Sequence, residues 1–428
     1  MPYIPEVKYL KKASPKKEED LSSVSTTVSE IIKRVREEGE AAVRYYSEKF
    51  DGWNPTSFKL SSDEINNLIS TIPDDLKNSI KFLYEQVKNF AELQKRTLIN
   101  FEVETLPGVF LGQKYIPIDS VGVYIPGGRY SLIASAIMSI VPAKVADVRR
   151  VAACVPPRGG KLNPATIFAA HLAGADEIFT IGGAQAIAAM AYGLKGLMEP
   201  VDMISGPGNK YVTEAKRQLF GKVGIDLLAG PTEIGIIADE TADPVIVAAD
   251  IVGQAEHDPD SSQFLITLSE NLGQMVMKEI ERQLEGLETA EIARASWSRN
   301  GEVVVASSME EAALISDSYA PEHLEVHTKD PRWFLERLKN YGSLFLGEEA
   351  GVVYSDKADG TNHILPTGGA ARYTGGLWVG KYMKNVTYQR MNKRGSLLVA
   401  PHAAKVARAE GMIAHALSAE IRIKKYSG

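Results

Sequence analysis

Apolar positions in the first hundred residues repeat at the spacing of amphipathic helices. The run 22–50 carries its apolar side chains three or four positions apart among many charges: Val24, Val28, Ile31, Ile32 and Val35. This spacing predicts one helix that ends before Asp51-Gly52. Residues 63–95 also have a helical pattern, and residues 106–118 predict short strands around a Pro107-Gly108 turn.

From Ser120 onward, β-rich runs alternate with helical runs. The first series has strands in SVGVYIP, RRVAACVP, EIFTIGG and VDMISGP, with helices over 131–145, 163–173, 184–193 and 209–220. The second has strands in IGIIAD, SQFLITLS, EVVVAS, LEVHT and SLFLGE, with helices over 243–256, 271–284, 309–317 and 331–339. Regular alternation favours parallel βαβ units with right-handed crossovers. We therefore predict an α/β fold with two such domains.

The breaker pair Gly230-Pro231 marks the predicted boundary between the two series. The predicted parts are an N-terminal segment 1–22, a discontinuous domain 23–118 plus 233–380, an inserted domain 119–232 and a tail 381–428. The tail is basic, and we predict that it is mostly helical and packs on a partner subunit.

Composition narrows the class of protein. The 428 residues include 48 Lys and Arg against 54 Asp and Glu, a net charge of −6, so a dominant surface for nucleic acid or anionic membrane is not expected. The single Cys154 cannot form an intrachain disulfide, which indicates a reducing compartment. The charged N-terminus lacks a signal-peptide core, and Pro142 and Lys144 interrupt the longest apolar stretch. We predict a cytoplasmic protein.

Several histidines have polar or acidic neighbours in the sequence. Gln254 and His257 are three positions apart at the end of a helical run, so both can reach one ion; the alternative is a histidine that complements the helix dipole. Glu322-His323 follows a Pro-marked helix end, a position that suits a general base beside a water-activating carboxylate. The alternative is a boundary pair without chemistry.

Two further candidates depend on the fold. Asp356 and His363 bracket a polar loop, DKADGTNH, which fits either a site or a solvent-facing Asx turn. His415 follows Glu410 by five positions on a predicted helix, too far for one helical face, so their joint action requires a shared pocket.

Other motifs are weaker. Residues 375–382 have P-loop spacing but end in Tyr382 where Ser or Thr is needed, and HLEVH over 323–327 is an imperfect zincin motif on a predicted strand. Gly182-Gly183 and Gly206-Pro207-Gly208-Asn209 each follow a strand and open a helix, where backbone N–H groups bind phosphates. Neither matches the usual dinucleotide fingerprint. Cys154 is expected to be a buried, unreactive thiol.

Four segments in this order, QAEHD, APEHLE, DKADGTNHILPTGGAAR and AEGMIAH, resemble the histidinol dehydrogenase family, and the resemblance runs over nearly the whole chain. It implies a zinc ion held by Gln254, His257, Asp356 and His415. It also implies catalysis by His323 and Glu322, with His363 and Glu410 contacting substrate together with the zinc ligands, His323 and Thr232. The implied NAD contacts are Tyr124, Gln185 and Asn209.

The resemblance also implies an assembly and a reaction. The family is a homodimer of two incomplete Rossmann-like domains with a swapped C-terminal tail, so His415 and Glu410 would act in the neighbouring subunit's site. The implied reaction is a four-electron oxidation in two NAD-dependent steps. His323 takes the alcohol proton, and Glu322 activates water to attack the bound aldehyde.

The substrate is predicted less directly. Thr232 in AGPTE stands where the family usually has Ser, and ARYTGGLWVGKYMKNVTYQ is more similar to relatives that oxidise 2,3-dihydroxypropane-1-sulfonate to 3-sulfolactate. APEHLEV and NHILPTGG are more similar to the histidine-pathway enzyme. We predict L-histidinol ahead of the sulfonated diol. A catalytically silent, metal-stabilised binding protein is the alternative from another class; it would have lost the Glu322-His323 pair or a zinc ligand, and none is missing.

Overall fold

The computed structural model describes residues 7–15 and 22–428. Much of the predicted N-terminal segment 1–22 therefore lies outside the described residues. The chain begins with a short strand and four helices: β1 (Lys8–Lys11), α1 (Ser22–Glu38), α2 (Glu40–Asp51), α3 (Ser62–Ser70) and α4 (Asp74–Arg96). The helix predicted over 22–50 is two helices, because Gly39 adopts a left-handed φ of +62° and interrupts the first.

Two strands follow, β2 (Phe101–Leu106) and β3 (Val109–Pro117), and they form the predicted hairpin. Gly108 has a φ of +83°, a conformation that favours glycine in the turn.

The first alternating series forms a five-stranded parallel sheet with the order β6-β5-β4-β7-β8. Its strands are β4 (Ser120–Tyr124), β5 (Arg150–Cys154), β6 (Glu177–Phe179), β7 (Met203–Ser205) and β8 (Gly224–Ile225). Its helices are α5 (Ile133–Val145), α6 (Pro164–Leu172), α7 (Gly183–Tyr192) and α8 (Lys210–Leu219). Cys154 is fully buried, and burial raises the pKa of its thiol, as expected for an unreactive group.

The second series forms a six-stranded sheet with the order β1-β11-β10-β9-β12-β13. Its further strands are β9 (Glu233–Ala238), β10 (Ser262–Thr267), β11 (Gly301–Val305), β12 (His323–His327) and β13 (Ser343–Leu346). Its helices are α9 (Pro244–Ala255), α10 (Glu270–Leu284), α11 (Ala290–Asn300), α12 (Met309–Tyr319), α13 (Pro331–Leu335) and α14 (Val352–Lys357). All of its pairings are parallel except that of β1 with β11.

The N-terminal helices pack on the helices that flank the five-stranded sheet. Val28 of α1 and Val43 of α2 are buried in one cluster with Ile187 of α7. Leu83 of α4 is buried with Ile137 of α5. Helical periodicity shows that a helix has an apolar face but not which sheet covers it. The division into domains as a whole stays a prediction.

The tail differs from its mostly helical prediction at its start. β14 (Met383–Met391) pairs antiparallel with β3 along its whole length, giving a three-stranded ribbon with the order β14-β3-β2. The helices α15 (Lys393–Ala409) and α16 (Ile413–Tyr426) follow. They pack against each other and, at the base of α15, against the ribbon. None of the described helices is both long and apolar enough to span a membrane. The cytoplasmic location stays a prediction.

Candidate active site

The predicted catalytic pair, Glu322 and His323, lies at the start of β12 (His323–His327). Helix α12 ends at Ala320, whose φ of +51° turns the chain into the strand. Both side chains are buried, with Glu322 6% and His323 2% exposed. The Glu322 Oε2 atom accepts hydrogen bonds from the Thr232 hydroxyl at 2.6 Å and the Glu233 backbone N–H at 2.9 Å. Glu322 is therefore held in one orientation.

His323 has one ring nitrogen engaged and one without a partner. Nδ1 lies 3.0 Å from the Glu233 carbonyl oxygen, which can only accept, so Nδ1 donates. Nε2 is buried, makes no hydrogen bond with residues 7–15 or 22–428, and lies 3.8 Å from Oδ1 of Asp356. Burial lowers the pKa of His323, but the Glu322 and Asp356 carboxylates outweigh it and raise the pKa to about 9. The free Nε2 is in position to exchange a proton with a bound molecule.

Three of the four predicted metal ligands meet beside this histidine. His257 Nε2 lies 4.0 Å from Asp356 Oδ2. The Gln254 amide nitrogen donates to the Thr232 hydroxyl oxygen and lies 3.5 Å from Nδ1 of His323. The end of α9 thus places Gln254 beside Thr232 and His323, and the residues just after it place His257 beside Asp356 of α14.

The protonation of these groups suits a metal. Burial lowers the pKa of His257 more than the Asp356 carboxylate raises it, so the imidazole is neutral. Burial favours the neutral form of Asp356, but His363, His323 and Lys357 together hold its pKa well below the usual range. A neutral imidazole and an ionised carboxylate are the forms that bind a metal ion. With the Gln254 amide oxygen they make the mixed N/O donor set that zinc accepts.

His363 connects this cluster to the first sheet. Its Nε2 lies 2.7 Å from the Ser135 hydroxyl of α5, and its Nδ1 lies 3.6 Å from Asp356 Oδ1. The neighbouring Asn362 amide donates to the Met138 carbonyl oxygen at 2.7 Å. The resulting cavity is lined by Leu132, Ser135, Pro207, Ala229, Gly230, Thr232, His257, Glu322, His323, Asp356, Lys357, His363, Ile364 and Leu365. Both sheets therefore contribute residues to its wall.

A second cavity of about 410 Å³ contains the three predicted NAD contacts Tyr124, Gln185 and Asn209. The Tyr124 hydroxyl accepts a hydrogen bond from the Gly183 N–H at 3.1 Å. The Asn209 side chain caps α8 by accepting from the N–H groups of Tyr211 and Val212. Gln185 is 1% exposed, and neither polar atom of its amide has a hydrogen-bond partner in the described structure. Such an amide is suited to a polar ligand.

A buried ion pair holds the loop that leads to Asn209. Lys216 Nζ donates to Asp226 Oδ1 and, at 2.9 Å, to the Gly206 carbonyl oxygen. Asp226 Oδ2 accepts from the Gly206 N–H at 2.8 Å. Gly206 has a φ of +107°, and a β-carbon there would lie 2.0 Å from the Tyr124 carbonyl oxygen. The close approach explains why glycine is needed in this loop.

The sequence analysis missed several residues that line the two cavities. Thr27, Phe50 and Asp51 line the second cavity, and Ser135 and Lys357 line the first. Asp51 was interpreted only as the end of a helix, since the packing of α1 and α2 on this sheet is a tertiary fact. Its Oδ2 is buried without a hydrogen-bond partner, and burial raises the pKa of this carboxyl to about 6.

Replacing Asp51 with Asn is expected to stabilise the protein at pH 8. Because the pKa of Asp51 is raised on folding, its ionisation costs stability that is absent below the unfolded pKa of 3.8 and complete above about 6. Discounted for partial exposure, the cost is about 1–2 kcal/mol at pH 8 and about half that at pH 5. Chemical denaturation at both pH values measures it. A variant no more stable than the parent at pH 8 would contradict this account.

Glu410 and His415 are not brought to either cavity by their own chain. Both lie in the α15–α16 hairpin and are exposed. The hairpin also exposes large apolar side chains, each 45–64% accessible: Leu398, Val406, Met412, Ile413, Leu417 and Ile421. Their role in a neighbouring subunit's site stays a prediction.

A separate group, Asp250, Glu325 and His327, has ligand atoms within 4.8 Å of one another, a geometry that could hold a metal ion. It contains none of the predicted zinc ligands. Its three side chains also interact with one another without a metal. His327 Nε2 lies 3.2 Å from Glu325 Oε2, and burial together with Glu325 raises the pKa of Asp250 to about 7. Glu325 Oε1 accepts from the Val352 N–H, which ties β12 to α14. HLEVH is a strand, as predicted.

Comparison with known proteins shows the family of the chain. The family model for histidinol dehydrogenase matches residues 14–423. The chain belongs to the histidinol dehydrogenase family. The predicted resemblance is thus confirmed, and with it the prediction that the chain is an oxidoreductase enzyme of this family.

Individual relatives have two different names. A histidinol dehydrogenase homolog from Shouchella clausii is 51% identical over 403 residues, covering 94% of this chain and 95% of that protein. Sulfopropanediol 3-dehydrogenase from Ruegeria pomeroyi is 49% identical over 423 residues, covering 98% and 97%. The crystal structure of histidinol dehydrogenase from Elizabethkingia anophelis matches with a TM-score of 0.91 and 35% identity, covering 97% of this chain and 95% of that one. The mixed α/β fold with parallel sheets is therefore that of this family.

Proposed function

We propose that the protein oxidises a primary alcohol to a carboxylate in two NAD-dependent steps at a zinc site. The observation that carries the proposal is the buried Nε2 of His323, which has no partner and lies beside Asp356 at the wall of the cavity. The proposed zinc ligands are Gln254, His257, Asp356 and His415 of the partner subunit. Bound zinc would hold the substrate and offset negative charge on its ligating atom.

Two residues of this chain carry out the proposed proton transfers, one in each oxidation step. In its neutral form, which predominates above the pKa of about 9, His323 takes the alcohol proton at Nε2 while Nδ1 stays bonded to the Glu233 carbonyl. Glu322, oriented by Thr232 and Glu233, then removes a proton from the water that attacks the aldehyde. His363 and the partner subunit's Glu410 contact the substrate. Both steps use groups that are buried and fixed before substrate binds, as efficient proton transfer requires.

NAD accepts the hydride in each step, and the second cavity is its proposed site. The unpartnered amide of Gln185 supports this assignment, since a buried amide gains two hydrogen bonds from a polar ligand. Tyr124 at the end of β4 and Asn209 in the loop after β7 contribute the other proposed contacts. Both lie near the carboxyl ends of parallel strands, where α/β sheets bind nucleotides. We also propose that the two sheets belong to incomplete Rossmann-like domains.

The active form is proposed to be a homodimer with exchanged tails. The α15–α16 hairpin exposes an apolar face on one chain, and it carries Glu410 and His415 away from that chain's own cavity. Covering this face with a second copy would bury the apolar side chains and complete both sites.

Two substrates are candidates. L-Histidinol, which would place the enzyme in histidine biosynthesis, is favoured by the family model and by the solved structure. A sulfonated diol, 2,3-dihydroxypropane-1-sulfonate, is favoured by the 49% identical relative that is named for that chemistry. Both contain a primary alcohol that the same residues would oxidise.

The proposal predicts two NADH per alcohol consumed, with activity lost on chelation and restored by zinc. Purified protein would be assayed with excess NAD and each candidate substrate in turn, beside a chelator-treated sample. One NADH per alcohol would contradict the second step. Turnover that persists in metal-free protein would contradict the zinc site.

A further inference from the structure

Lys357 lies in the wall of the first cavity, where the proposed reaction assigns it no role. It follows Asp356 at the end of α14, and its Nζ lies 3.3 Å from Asp356 Oδ2. Its side chain is 51% exposed, in contrast to Asp356 at 9%. Among the described residues that line this cavity, it is the one permanently cationic side chain; the other cations require a protonated histidine. A long lysine stem with a partly exposed ammonium is free to meet a bound molecule.

The two carboxylates in the cavity have other partners. Glu322 Oε2 accepts from Thr232 and Glu233. Asp356 has three imidazoles around it, from His257, His323 and His363, at 3.6–4.0 Å. Lys357 is thus one of several cations or imidazoles beside Asp356, to which its Nζ donates one hydrogen bond at 3.3 Å. An ammonium has three donors, so two remain for a further anion.

We propose that Lys357 is a specificity residue that binds a fixed anionic group, a sulfonate, on the alcohol substrate. The inference rests on the proposed alcohol oxidation and deepens it by choosing between substrate classes. A sulfonate oxygen near Nζ would form a charge-assisted hydrogen bond in a partly water-excluded site. L-Histidinol instead carries an ammonium at neutral pH, and two like charges in one small cavity repel. Lys357 thus favours the sulfonated diol over the amino alcohol predicted first.

The test compares a sulfonated diol with the same diol without its sulfonate, and both with L-histidinol. Parent enzyme, Lys357→Met and Lys357→Arg would be assayed with 2,3-dihydroxypropane-1-sulfonate, its neutral analogue propane-1,2-diol, and L-histidinol. In Lys357→Met, the kcat/KM preference for the sulfonated over the neutral diol should fall by about 10- to 100-fold, the range for one charged hydrogen bond. The loss should lie mainly in KM, and Lys357→Arg should recover most of it.

Two readouts separate this role from a structural one. The KM of the parent for the sulfonated diol should rise with ionic strength, and that dependence should weaken in Lys357→Met. Zinc content and melting temperature show whether the variant is intact; if Met is not tolerated, Lys357→Gln replaces it. Lys278→Met, at an exposed position on α10, is the matched control for loss of a lysine.

The outcomes distinguish the role of Lys357 from the proposed alcohol oxidation. Equal loss for all three alcohols, or a parent enzyme that turns over L-histidinol best, would overturn the role of Lys357 and leave the proposed oxidation standing. No NADH from any of the three alcohols, in protein shown to contain zinc, would count against the proposed function itself.

Discussion

Replacing His323 with Asn is expected to lower turnover by about 10²- to 10⁴-fold, the usual contribution of a positioned general base. The asparagine amide can donate to the Glu233 carbonyl as Nδ1 does, but it offers no basic atom at the position of Nε2. The substitution therefore removes the proton acceptor with little change in packing. Turnover is measured as NADH formation, and the metal content is measured on the same sample.

Zinc stoichiometry should remain that of the parent, because His323 is not among the proposed ligands. Glu322→Gln is the matched variant, since it removes a charge from the adjacent position. It should allow the first oxidation but slow attack by water, so that one NADH per alcohol is released before the second step. Full activity in His323→Asn, or equal loss of both NADH in the Glu322 variant at unchanged zinc content, would contradict the assigned roles.

A mixture of two inactive variants is expected to regain about a quarter of the parent activity. In the proposed exchanged dimer each site combines His323 of one chain with His415 of the other. A heterodimer of His323→Asn and His415→Ala chains therefore has one intact site of two. Random association at equal amounts gives half heterodimers, hence about one quarter of all sites. Co-refolding or co-expression followed by the NADH assay measures the recovery.

Each variant alone should be inactive, which sets the baseline. The same mixing with His323→Asn and Asp356→Ala, two residues that one chain contributes to the same site, is the matched control. That pair instead leaves each heterodimer with two singly damaged sites, so its recovery should be zero. Recovery for this control, or none for the His415 mixture once heterodimers are demonstrated, would argue against exchanged tails.

The expected recovery of zero follows from the chain that supplies each residue. His323 and Asp356 are contributed to a site by the same chain, so each heterodimer has one site without His323 and one without Asp356. Neither site is intact, whether or not the tails exchange. The contrast between about a quarter for the His415 mixture and zero for the Asp356 mixture is therefore what identifies a residue that acts in the neighbouring subunit.

Local patterns predicted most elements of the two sheets. Alternating apolar strands and helical runs predicted β4–β7 and β9–β13, because parallel strands are buried on both faces and are therefore continuous apolar runs in the sequence. The two-residue strand β8 was not predicted. Helical spacing predicted that Gln254 and His257 act together, and the structure places His257 beside Asp356 and Gln254 beside Thr232 and His323. The elements that were missed have weak local patterns. β1 has four residues, and β14 is a mixed polar run that becomes a strand by pairing with β3.

The sequence by itself determined the α/β class, the order of the strands along the chain, the family, and the residue types of the candidate site. Only the tertiary structure decided which sheet the N-terminal helices cover, how Ser135 and His363 meet, and that Asp51 and Lys357 line the two cavities. The physical reason is the separation along the chain of the residues involved. Periodicity reports which face of an element is buried, whereas the partner of that face, and the charges that meet across it, depend on contacts between residues far apart in the chain.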